Sequence, residues 1–276
     1  MSATQLAAIA ARIRMRVVQM SGAAAAPHVA SALSCTDILV ALYFDVARVG
    51  PDRAADPSRD RIILSKGHAS AALYACLAER GFFPASLLEE YAGDDSRLGE
   101  HPTLGTVPGI DCSTGSLGHG LGIATGLALA ARLDDRPTQV FVVLSDGECN
   151  EGTVWEAAMW AAGQRLNTIR AIVDANGLQA IGRTNEITAL EPLAEKWRAF
   201  GWDVTETNGH DVDRLAAILR QPCDRPQAVI ARTVKGKGVS FMEDDPEWHY
   251  RPPSPDEVER AVKELSTQCV TLSSAR

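Results

Sequence analysis

The chain has 276 residues, 46% of them apolar and 22% charged, so it can bury a large core in one domain or two; its formal net charge is −8. An acidic balance without a block of lysines and arginines argues against a nucleic-acid partner, no apolar run reads as long enough to span a membrane, and Met1–Met20 carries no signal-peptide core. Six cysteines (35, 76, 112, 149, 223, 269) lack the CxxC spacing of a zinc site or the look of a disulfide framework, which is expected of a reducing cytoplasm.

In chain order, Met1–Met20 reads as a helix with Leu6, Ile9, Ile13 and Val17 on one stripe, ended by the small-residue segment 22–27. His28 follows in Pro27-His28-Val29-Ala30-Ser31, and Thr36–Ala47 reads as a second helix. Arg61–Leu64 reads as a short strand and His68–Arg80 as a helix, with the His68 imidazole and the free helix amides placed to meet an anion. Leu117–Leu133 is a further helix, and Gly118, Gly120, Gly122, Ala124 and Gly126 let it approach another backbone. Strands are expected at 139–144, 169–174, 202–206 and 227–231, with helices near 151–164, 190–200 and 211–220. Asp211 is the expected cap of the last of these, which leaves His210 a structural role. A final helix runs from Pro255, capped by Ser254, to about Leu265. The alternation implies an α/β three-layer sandwich, a mainly parallel sheet with helices on both faces, as one domain over 1–265 and a flexible tail over 266–276.

One β-α-β unit carries the chemistry. The apolar run Val140–Leu144 ends in Asp146-Gly147-Glu148, and the run Ile169–Val173 ends in Asn176-Gly177, with 29 residues between Asp146 and Asn176, the length of a crossover helix. Either turn alone is commonplace. Together they bring a carboxylate and an amide oxygen to the carboxyl edge of one sheet, where open α/β sheets bind ligands. That donor pair suits Mg²⁺, which keeps water and substrate phosphates as its other ligands, and the adjoining helix N-terminus favours the anion. Cys149 beside it reads as a bystander, and the absence of GxxxxGK[ST] disfavours a phosphotransferase.

Several blocks in order, SKGHAS (65–70), EHP (100–102), PGIDCSTGSLGHGLG (108–122), EGTVWEAAMWAA (151–162), VDANGLQ (173–179) and ARTVKGKGVSFME (231–243), resemble the N-terminal half of transketolases, above all the N-terminal, diphosphate-binding chain of split, two-chain forms. The resemblance implies the thiamine diphosphate-binding fold. It also implies that Asp146, Asn176 and the Leu178 carbonyl hold Mg²⁺, with Ca²⁺ or Mn²⁺ able to substitute. The diphosphate half of the cofactor would lie among His68, Ser116, Leu117, Gly118, Asp146, Gly147, Glu148, Glu151, Asn176 and His249. The catalytic histidines implied are His28, His68, His101 and His249. Glu151 matches an acid in a carboxylate network between the family's two active sites, with a helix-dipole partner as the equal alternative. Lys235 and Lys237 line a phosphate entrance or a solvated loop. His119 stands where split forms commonly have histidine. Three departures stand out: Ser145 replaces the motif's first glycine, Glu100 replaces the glycine before His101, and His28 lacks its flanking glycines.

The activity implied is transfer of a two-carbon ketol unit from a ketose or ketose phosphate to an aldose. In the family, the glutamate that activates the cofactor lies in the C-terminal half. The resemblance therefore implies a separate C-terminal (pyrimidine-binding) subunit in an α2β2 heterotetramer in the cytoplasm. Two alternatives are a transketolase-like subunit of a specialised biosynthetic C–C bond-forming or decarboxylative acyloin enzyme, and a non-catalytic scaffold subunit.

Overall fold

The structure, a computed structural model, describes residues 1–274, with side-chain surroundings through Cys269. Five strands, β1 (Arg61–Leu64), β2 (Val140–Ser145), β3 (Ile169–Ala175), β4 (Asp203–Asn208) and β5 (Gln227–Arg232), form one sheet in the order β1-β2-β3-β5-β4. Every pairing is parallel, as in Leu64 with Val143, Ser145 with Asp174 and Ala175 with Arg232. All five carboxyl ends therefore lie on one edge.

Strand alternation divides the core in two. Ile63, Val140, Val142, Leu144, Ala171, Val173, Ala228 and Ile230 pack with α4 (His119–Leu133), α5 (Gly152–Gly163) and α7 (Leu193–Ala199). Ile62, Leu64, Phe141, Val143, Ile172, Val229 and Ala231 face α1 (Ala3–Ala23), α2 (Val29–Ala41), α3 (Ser70–Arg80) and α8 (Val212–Leu219). The short α6 (Thr184–Ile187) follows β3, and α9 (Pro255–Ser274) packs along α1. The three-layer α/β architecture expected from the sequence is the one found. Edge strand β4 is partly exposed and carries Asp203 and Glu206, which suits an uncovered sheet edge.

Three boundaries differ from expectation. Helix α2 begins at Val29, not Thr36, because every residue from Val29 to Ala41 is buried and no polar face marks its start. The same burial corrects the membrane reading. Val29–Val46 is long and apolar enough to cross a bilayer, with mean hydropathy 1.6, yet 83% of it is buried inside the fold. Helix α3 begins at Ser70, after a tight turn over Gly67–Ala69. Helix α9 continues past Leu265 to Ser274, so the tail expected over 266–276 is helical as far as it is described; residues 275 and 276 lie outside the described residues. The caps are as expected: Ser254 exchanges hydrogen bonds with Glu257, and the Asp211 carboxylate accepts from the Arg214 amide at 2.9 Å.

Candidate active site

The carboxyl edge holds a cavity of about 380 Å³. Asp146, at the tip of β2, accepts from the Gly147 amide (2.8 Å) with one oxygen. Its other oxygen accepts from the Gly177 amide (2.7 Å) and the Thr184 hydroxyl (3.1 Å). The Gly177 bond crosses from one strand end to the next and sets Asp146 beside Asn176. Gly177 makes it from φ +76°, a conformation that favours glycine. The Asn176 amide is oriented from behind: its Nδ2 donates to Asp174 (3.3 Å), and its Oδ1 accepts from the Leu178 amide (3.1 Å).

Asp174 is the charge that sequence reading missed. It lies on β3 with its side chain fully buried, paired with the equally buried Lys66 ammonium and accepting from Thr233 and from Ser34 (2.6 Å). Burial acts to raise its pKa, and Lys66 with these hydrogen bonds outweighs it, so the carboxylate is held below its ordinary range. Asp146 lacks such a partner: burial first, then Asp174, push its carboxyl up. A bound cation would relieve that cost.

His28, His68, His101 and His249 line this cavity together with Leu117, Asp146, Gly147, Glu151, Asn176 and Leu178. Three of the rings form a cluster, with centroids 5.2 Å apart for His28 and His68, 5.0 Å for His28 and His249, and 5.8 Å for His68 and His249. Burial lowers His28 to about 4 and His249 to about 3, and neighbouring positive groups add to both; the same causes hold His68 well below its ordinary value. All three are neutral at pH 7. His28 takes φ +68° and donates its amide to the His249 carbonyl (2.9 Å), which holds the loop without the family's glycines.

Lys235 is buried beneath the lining. Its ammonium donates to the Leu178 carbonyl (3.3 Å), the Gln179 carbonyl (3.2 Å) and His249 Nδ1 (2.7 Å), and burial lowers its pKa to about 8. The proton of neutral His249 therefore sits on Nε2. Lys237 turns away to Glu243 (3.2 Å), so of the two lysines only Lys235 reaches the site.

Three expected cofactor contacts, Glu148, Gly118 and Ser116, are not among the residues lining the cavity. The Glu148 side chain is fully buried away from the cavity, where it accepts from Ser65, the Gly118 amide (2.8 Å) and the Ser145 amide (3.3 Å). The Gly118 amide is thereby spent. Ser116 is exposed and outside the lining. Ser145 fits without strain: it ends β2, and its hydroxyl accepts from the Glu148 amide (3.1 Å). Glu100 uses its carbonyl to bind Ser70 (2.7 Å) and stays outside the lining. Ser31, Asn150, Gln179 and Tyr250 also line the cavity and carried no sequence signal as site residues. His119 is exposed outside it, and His210 lies elsewhere in the fold.

Among the described residues no group of three His, Cys, Asp or Glu side chains forms a metal cluster. The oxygen set is instead one carboxylate, one amide and one carbonyl, the kind a hard cation takes when phosphates complete its shell. His28 Nδ1 and Gln179 Nε2, buried polar atoms without hydrogen-bond partners, belong to residues of the same wall.

The family model described as transketolase, thiamine diphosphate binding domain, matches residues 5–270. The chain is 40% identical to an apulose-4-phosphate transketolase subunit from Phocaeicola vulgatus, covering 94% of this chain and 93% of that one. It is 42% identical to the 6-deoxy-6-sulfo-D-fructose transketolase subunit of a Clostridium species, covering 84% and 85%. Its fold matches the crystal structure of transketolase from Campylobacter jejuni with a TM-score of 0.86 at 24% identity, over 99% of this chain; it spans 46% of that longer chain.

Proposed function

The chain belongs to the transketolase family through its thiamine diphosphate-binding domain, and on that premise we propose that it is the diphosphate-binding subunit of a two-chain transketolase. The reaction is transfer of a two-carbon ketol unit from a ketose to an aldehyde acceptor, and it depends on Mg²⁺. The observation that carries this reading is the meeting of Asp146, Asn176 and four histidines on one cavity at the carboxyl edge. Thiamine diphosphate, when bound, supplies the reactive carbon that carries the two-carbon unit.

The chain's own residues account for the rest. Asp146, Asn176 Oδ1 and the second lone pair of the Leu178 carbonyl hold the cation. Lys235 places a positive charge behind the same loop, and Lys66, neutralised by Asp174, does not compete for the anion. His28 and His68, neutral at pH 7, act as acceptors for protons of sugar hydroxyls, and His249 offers its Nε2–H as a donor. His101, exposed at the cavity, meets the donor sugar.

The partner is a chain carrying the pyrimidine-binding half, in keeping with relatives that are themselves named as transketolase subunits, and an α2β2 heterotetramer is the expected assembly. Cys35, Cys76, Cys112, Cys149 and Cys223 form no disulfide, which fits a cytoplasmic setting. Both relatives named above act on specialised sugars by name, so a modified ketose or its phosphate is the favoured donor class. Steady-state assays with the reconstituted pair should show turnover that needs both chains, with apulose 4-phosphate or 6-deoxy-6-sulfofructose preferred over xylulose 5-phosphate. No binding of thiamine diphosphate with Mg²⁺ by the reconstituted pair would favour the scaffold reading, and robust turnover of ordinary pentulose phosphates would remove the specialised one.

A further inference from the structure

Away from the cavity, the buried pair Arg14 and Asp37 and the partly buried His210 form a cluster that the reaction does not use. Arg14 on α1 grips the Asp37 carboxylate on α2 with both terminal nitrogens, and their side chains are 8% and 7% exposed. Burial acts to raise Asp37, but Arg14 and His210 outweigh it and keep it ionised. Asp37 Oδ2 lies 2.7 Å from His210 Nδ1, while His210 Nε2 accepts the Val234 amide at 2.9 Å. An acceptor at Nε2 and a carboxylate at Nδ1 fix one neutral tautomer, with the proton on Nδ1.

Val234 immediately precedes Lys235, whose ammonium binds the Leu178 carbonyl, the Gln179 carbonyl and the His249 ring. The segment has little freedom elsewhere. The Thr233 hydroxyl is bound to Asp174, and the Gly236 amide donates to the Ala30 carbonyl (3.0 Å). Gly236 has φ +80°, and a Cβ there would collide with Met242. Gly209 is equally confined, since a Cβ would collide with Thr233, so the turn bearing His210 is pressed against this segment.

We propose that His210 is a positioning residue: through the Val234 amide it sets where Lys235 stands, and through Lys235 it sets the anion affinity of the cavity. The inference rests on the cavity's being the diphosphate site. Its chemistry is specific, because the active feature is an acceptor at the Nε2 position, with Asp37 and Arg14 serving to present it. His210→Gln carries an amide oxygen to that position and keeps the acceptor. His210→Asn reaches Asp37 but is too short to accept from Val234.

The test is calorimetric titration of the full chain with thiamine diphosphate and, separately, inorganic pyrophosphate, both with Mg²⁺, alongside thermal melting of each variant. His210→Asn should bind either ligand roughly tenfold more weakly, the scale of one lost hydrogen bond between neutral groups. His210→Gln should bind as the wild type does. In a Lys235→Met background His210→Asn should cost no further affinity, because the two act in series. Equal losses for Gln and Asn, or losses that add fully to Lys235→Met, would overturn the proposal and leave His210 a general stabiliser of the fold. Failure of the wild-type chain to bind either ligand would instead strike at the diphosphate site itself, and the proposal with it.

Discussion

At the scale of single residues, the site is a set of charges whose cost is met unevenly. Asp174 and Lys66 neutralise each other in full burial. Asp174→Asn should therefore strand an ammonium and cost about 3–5 kcal/mol, read as a lower denaturant midpoint at unchanged slope. The three half-buried histidines of the cavity predict an acid sensitivity of definite sign. Their folded pKa values lie below the unfolded value of 6.5, at about 4 for His28, about 3 for His249 and lower than usual for His68. The unfolded chain takes up protons first, so stability is complete above pH 6.5 and falls as pH drops toward 4. Melting temperatures from pH 7.5 to 4.5 should show this decline, and a variant with His28 and His249 both replaced by Gln should flatten it. His101→Ala, at the exposed side of the cavity, should impair ketose turnover while leaving cofactor affinity in place; equal loss of both would move His101 into the cofactor shell. Asp146 and Asn176 could be read in the sequence because polar residues abruptly end two apolar runs. Asp174 could not, since its partners Ser34, Lys66 and Thr233 are 140, 108 and 59 positions away. Glu148 illustrates the opposite case: an acid at a helix start reads as a ligand contact, and only the fold shows its oxygens bonded to Ser65, Gly118 and Ser145.

At the scale of elements, α4 shows how far residue type alone carries. Its small residues promised close approach along the whole helix. The structure confines that approach to the first turn, where a Cβ on Gly120 would collide with Ser65, whereas Gly122 and Gly126 have nothing within 4 Å. Gly120→Ala should displace α4 from the turn after β1 and cost about 1–3 kcal/mol. Gly126→Ala should add about 0.5–1 kcal/mol, because only the helix's backbone entropy is affected. Thermal melts of the two variants should move in opposite directions. The strands were legible to within a residue or two, because all but the partly exposed edge strand β4 are buried runs between turn signals. The start of α2 was not, because a helix buried on every side has no periodicity to reveal it. The end of α9 was missed for a different reason: its last turns are rich in Ser and Thr, yet α9 packs along α1 and runs on to Ser274.

At the scale of the whole molecule, the parallel sheet gathers residues distant in sequence onto one edge: His28 before α2, His68 after β1, Asp146 after β2, Asn176 after β3 and Lys235 after β5. The α/β alternation made that edge predictable, while the supporting contacts of Lys235, Gln179 and Tyr250 depend on loop paths that pattern does not encode. A ligand bridging so many strand ends stabilises the entire fold, by about 2.7 kcal/mol at a hundredfold excess over its dissociation constant. The most direct measurement is therefore the melting temperature of the chain with thiamine diphosphate, with and without Mg²⁺, for the wild type and for Asp146→Ala. The account predicts a rise for the wild type that requires both ligands together and disappears in Asp146→Ala. An equal rise in EDTA, or one that survives Asp146→Ala, would contradict it.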